Sequence, residues 1–132
     1  MAISEDFVKT SVHAWLTAKG YTDVQKRLGT RRGDDVSGKS AAGRKIWVEC
    51  KGETAASDQW RVSWGNLSDA FFKALDQTVK MENATVEEAD IVIAVPDTEN
   101  YRDRMAHLEK FCRRQNWNVL WVSDNGHVQP WF

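Results

Sequence analysis

A chain of 132 residues with 42% hydrophobic and 28% charged side chains holds enough apolar material for one core and too much for a disordered polypeptide. Its formal net charge of -1 excludes a protein that coats nucleic acid by bulk charge, and no run approaches the roughly 18 apolar residues of a membrane span. The opening MAISEDFVKT lacks the basic, then apolar, then small-residue order of a signal peptide, so the expectation is a single cytoplasmic domain over residues 1–132.

From Ser4 to Lys19, Phe7, Val8, Val12, Trp15 and Leu16 fall at helical spacing, with Ser4 as N-cap and Gly20 as the stop. Three extended segments follow, at about Val24 to Leu28, Asp34 to Ser37 and Arg44 to Lys51, separated by glycine-marked turns. The spacing predicts a second helix from Leu67 to Met81. DIVIAV, Asp90 to Val95, reads as a strand buried on both faces and stopped by Pro96. A third helix is expected over Asn100 to Gln115, then a strand NVLWV over Asn118 to Val122, an Asp-Asn-Gly turn and a short edge segment. This αβββαβαβ order implies an α/β fold, a mixed central β-sheet flanked by helices, and differs from a doubly wound nucleotide-binding fold. No phosphate-loop pattern is present.

Charge is unevenly spread. Residues 26–51 carry eight basic side chains against three acids, whereas residues 52–100 carry three against ten. Arg31, Arg32, Lys39 and Arg44 are therefore candidates for phosphate contacts that position a nucleic acid without reading its sequence. Cys50 and Cys112 lack C-x-x-C spacing, and His13, His107 and His127 form no metal or triad pattern. Among the seven tryptophans, Trp60 and Trp64 beside Arg61 sit outside any amphipathic pattern; base stacking, an active-site lid and a protein interface are equal options for them.

The segment WVECKGE, Trp47 to Glu53, carries the chemistry. Strand alternation sends Glu49 and Lys51 to one side and Val48 and Cys50 to the other, so one face belongs to the core and the other is charged. Asp35, fourteen positions before Glu49, can meet it if the two strands form a hairpin. Hard divalent ions take oxygen ligands, and Mg²⁺ needs only one or two protein carboxylates beside water and phosphate. Asp35 and Glu49 would hold Mg²⁺ or Mn²⁺, with the Cys50 main-chain carbonyl as a further ligand and Lys51 beside the attacking water.

In GDDVSG, Gly33 to Gly38, and VECKGE, Val48 to Glu53, together with the element order, the chain resembles the PD-(D/E)xK nuclease superfamily, the restriction-endonuclease-like fold. Asp35 stands in the aspartate position and Glu49 and Lys51 in the E-x-K positions, while Asp34 replaces the proline of the motif. The resemblance implies two supporting residues: an acid on the first helix that reaches the metal, Glu5 or its neighbour Asp6, and a glutamine on the helix after the E-x-K strand, Gln77. Lys73 shares the Gln77 face and joins the nucleic-acid-binding candidates. The expected function is a divalent-metal-dependent endonuclease hydrolysing phosphodiester bonds in DNA, alone, as a homodimer or with a partner subunit. The alternative is a noncatalytic nuclease-like module that binds nucleic acid or protein within a larger complex. Thiol catalysis by Cys50 is disfavoured, because alternation turns that side chain away from the charged face.

Overall fold

Residues 3–29, 35–53 and 89–132 are described by a computed structural model. The helix expected at 67–81, with Lys73 and Gln77, lies outside the described residues, as do Arg31, Arg32, Asp34, Trp60, Arg61 and Trp64.

The first helix, α1, spans Glu5–Ala18. Ser4 caps it by accepting the Phe7 N–H at 3.1 Å, and Glu5 and Asp6 place negative charge at its positive end. It stops as the spacing predicts: Gly20 adopts φ 91°, and the Tyr21 and Gly20 N–H groups close back on the Leu16 and Thr17 carbonyls. Its buried stripe is Val8, Lys9, Ser11, Val12 and Leu16. Phe7, read from the sequence with the apolar set, is exposed, because it sits about 140° around the axis from Val12, at the middle of the buried stripe.

Among the described residues six strands form one sheet in chain order: β1 Thr22–Lys26, β2 Val36–Lys39, β3 Lys45–Cys50, β4 Ala89–Pro96, β5 Asn118–Val122 and β6 Val128–Pro130. β3, β4 and β5 run parallel and the outer pairs are antiparallel, giving the expected mixed sheet. β1 begins two residues earlier than expected and β2 two residues later. An irregularity between Thr22 and Gln25, with Asp23 at φ 52°, shifts the β1 register in a way that simple alternation does not reveal. The β2–β3 turn shrinks to Ser40–Arg44, closed by Ser40 N–H to Arg44 O at 2.8 Å and by Gly43 at φ 83°, a backbone conformation that favours glycine.

Alternation along the central strands builds two cores. Val48, Cys50, Val92, Ala94, Leu120 and Val122 pack with Val8, Val12 and Leu16 of α1 on one face. Ile91, Ile93, Val95, Val119 and Trp121 pack on the other with Tyr101, Met105, Cys112 and Trp117. Pro96, expected to stop β4, is its last residue and stands in register with Val122. The helix expected over 100–115 is divided into α2 (Glu99–Met105), a 3₁₀ turn (Ala106–Leu108) and α3 (Glu109–Gln115). Among the described residues no helix is long and apolar enough to cross a membrane.

Just after β4, Asp97 accepts two hydrogen bonds from Arg102, at 2.7 and 3.0 Å, and the guanidinium lies 3.9 Å from the Trp121 ring centroid. The Arg102 hydrogen bond holds the Asp97 carboxyl below its ordinary pKa. Its stabilisation is therefore complete above the ordinary carboxyl range and is lost as pH falls through the lowered value. Asp97→Asn should cost about 1 kcal/mol at pH 7, a modest figure because both side chains are partly solvated. Urea unfolding of the two proteins should show that difference vanishing in strong acid.

Candidate active site

The site forms where β2 and β3 meet the start of α1. The last ladder pair of the hairpin is Val36 with Val48, so Asp35 stands one step further on, opposite Glu49. Asp35 remains tied to the sheet on both sides. Its carbonyl accepts the Arg27 N–H at 2.9 Å, and its carboxylate Oδ2 accepts the Cys50 N–H at 2.8 Å. The carboxylate thereby spans the strand gap and sits directly on the E-x-K segment.

Glu49 and Lys51, although charged, are only 8% and 7% exposed. Glu49 is in register with Ile93, whose side chain belongs to the core opposite α1, while Cys50 is buried among the residues that pack on α1. The alternation expected between Glu49 and Cys50 is thus present. Glu49 Oε2 is buried and accepts no hydrogen bond, although the residue has other interactions. The segment is then locked: the Lys51 N–H donates to Ala94 O at 2.9 Å, and the Tyr101 hydroxyl donates to Gly52 O at 3.0 Å. Glu53 pairs with Ile3 through the Glu53 N–H to Ile3 O and the Ile3 N–H to Glu53 Oε1, at 2.7 and 3.0 Å. These bonds draw the first residues of α1 against the loop that follows Lys51.

The sequence reading missed Lys9. Its side chain is 2% exposed and its ammonium meets Arg27 O at 2.7 Å, Glu5 Oε2 at 3.2 Å and Asp35 Oδ1 at 3.5 Å. Burial works against this charge, but Asp35 and Glu5 outweigh it and raise the ammonium pKa. A signal was available: Lys9 lies at i+4 from Glu5 and next to Val8, on the stripe that the helix buries. Glu5, carried from the resemblance as a metal ligand, is turned onto Lys9. Asp6, its alternative, is turned elsewhere, accepting the Gly29 N–H at 3.0 Å.

The environment of Cys50 reports the same convergence. Complete burial, followed by the carboxylates of Asp35, Glu49 and Glu5, pushes its thiol well above the ordinary value, with Lys9 opposing. Such a thiol stays protonated and is a poor nucleophile.

Among the described residues no group of three or more His, Cys, Asp or Glu side chains is placed to hold a metal ion. Two carboxylates, Asp35 and Glu49, and the carbonyl of Cys50 are nevertheless oxygen donors on adjacent strand ends. That donor set fits a hard ion such as Mg²⁺, which takes one or two protein carboxylates and fills its remaining positions with water or phosphate oxygens.

The five basic candidates divide by position. Arg31, Arg32 and Lys73 fall outside the described residues. Lys39 lies at the far end of the β2–β3 hairpin, directly opposite Lys45. With Gln25, Ser37 and Trp47 these lysines line a pocket of about 150 Å³. Arg44 is engaged by Asp90, with Nη2 to Oδ1 at 2.9 Å, and this exposed pair is open to solvent. No protein-family model, curated protein or solved structure matches the chain.

Proposed function

We propose that the protein is a divalent-metal-dependent nuclease of the PD-(D/E)xK type, with a restriction-endonuclease-like fold, hydrolysing phosphodiester bonds in DNA. One observation carries the reading: Asp35 and Glu49 stand opposite each other at the ends of β2 and β3, with Lys51 buried two residues on. Burying charged residues such as Glu49 and Lys51 at a strand end is costly, and such residues concentrate at sites of chemistry.

In this reading Asp35 and Glu49, with the Cys50 carbonyl, hold Mg²⁺ or Mn²⁺. The bound ion supplies Lewis acidity toward the scissile phosphate and acidifies the attacking water. Lys51 orients that water and offsets the negative charge that grows on the phosphate. Lys39 and Lys45, about 13 Å along the strands from Asp35 and Glu49, supply contacts to phosphates further along the nucleic acid. Gln77 keeps the supporting role that the resemblance gives it, and Lys73 remains a nucleic-acid-binding candidate.

A second reading is favoured by a specific observation: the Asp35 carboxylate already accepts the Cys50 N–H and an ion pair from Lys9. Those bonds would serve a noncatalytic module equally well, with the cluster acting as a structural clamp. Incubating the protein with plasmid, duplex, branched and single-stranded DNA and with RNA, in Mg²⁺, Mn²⁺ or EDTA, separates the two. The nuclease reading expects products with metal and none with EDTA. Binding without cleavage under every condition would favour the module.

A further inference from the structure

We propose that Lys9 is the built-in counter-cation of this site, a positioning residue whose ammonium competes with the divalent ion for Asp35 and so sets the metal affinity. The inference rests on the nuclease reading and deepens it.

Three features of Lys9 point this way. First, its ammonium has three donors and faces three acceptors: Arg27 O at 2.7 Å, Glu5 Oε2 at 3.2 Å and Asp35 Oδ1 at 3.5 Å. The contact with Asp35 is the longest of the three, so the lysine can give it up while Arg27 O and Glu5 retain the charge. Second, the side chain is buried against the sheet by the face of α1 that carries Val8 and Val12, which prevents it from swinging into solvent. Third, the ammonium of Lys9 stands between two carboxylates, Glu5 Oε2 and Asp35 Oδ1. When no divalent ion is bound, Lys9 is the cation that keeps Glu5 and Asp35 from repelling each other. A divalent ion held by Asp35 shares that carboxylate with a fixed positive charge, and like charges at this range in a buried site weaken each other's binding. Glu5 follows as the residue that holds the lysine, rather than a ligand of the ion.

The test is Mn²⁺ binding by isothermal titration calorimetry, with thermal unfolding in parallel, on wild type and on Lys9→Gln, Lys9→Met, Lys9→Arg and Asp35→Asn. Lys9→Gln keeps a hydrogen-bond donor for Arg27 O, which guards against loss of the fold, and Lys9→Arg keeps the charge. The expected result is Mn²⁺ affinity at least about tenfold tighter in the neutral variants, affinity within about threefold of wild type in Lys9→Arg, and a larger Mn²⁺-induced rise in melting temperature for the neutral variants. Unchanged or weaker affinity in a folded Lys9→Gln protein overturns the inference; if Asp35→Asn abolishes binding at the same time, the metal site itself stands. Failure of wild type and of both neutral variants to bind Mn²⁺ overturns the inference and the nuclease reading together.

Discussion

Lys51→Met should lower the rate of metal-dependent DNA cleavage by about 1000-fold, close to the loss seen when one preorganised charge-stabilising group is removed from an active site. Methionine matches the length of the aliphatic stem, so a side chain that is 7% exposed in the native protein is replaced without a large cavity. The ion should still bind, because Asp35, Glu49 and the Cys50 carbonyl are untouched. Single-turnover cleavage beside Mn²⁺ titration checks both halves of the expectation. A variant that cleaves within a few-fold of wild type would remove Lys51 from the chemistry.

The second large effect is expected at Gly52. A β-carbon built there overlaps the backbone of Ser4 and Glu5, where the loop after β3 touches the start of α1. Because the obstacle is main chain, no rotamer change relieves it, and either the loop or the helix must move. Gly52→Ala should therefore destabilise the protein by about 3 kcal/mol, at the upper end for overpacking by one methyl group. It should also carry Glu5 and Lys9 away from Asp35, so residual folded protein should cleave slowly. Urea unfolding followed by cleavage measured under native conditions tests this, and a variant as stable as wild type would show that the close approach is easily relaxed.

These residues also indicate what could be read before the structure. β5 falls on Asn118–Val122 as expected, and β4 extends only one residue beyond each end of DIVIAV, because β-branched apolar runs mark strands buried on both faces. The helix after β4 is different. Tyr101, Met105 and Cys112 keep the periodicity of one face through the 3₁₀ turn, so the apolar spacing alone cannot reveal the break at Ala106–Leu108. In the site, the positions of Glu49 and Cys50 follow from strand alternation, which is local. The contact from Lys9 to Asp35 joins a helix to a strand end, and the Gly52 contact joins a loop to a helix start. Neither leaves a periodic trace, since both depend on how α1 docks on the sheet.

In the proposed nuclease, Asp35 and Glu49 together hold a catalytic divalent ion. The most direct test is anomalous scattering from crystals grown with Mn²⁺. A manganese peak is expected between the two carboxylates, beside the Cys50 carbonyl. A protein saturated with Mn²⁺ in solution whose crystals show no peak there, with Asp35 still paired to Lys9, would contradict it.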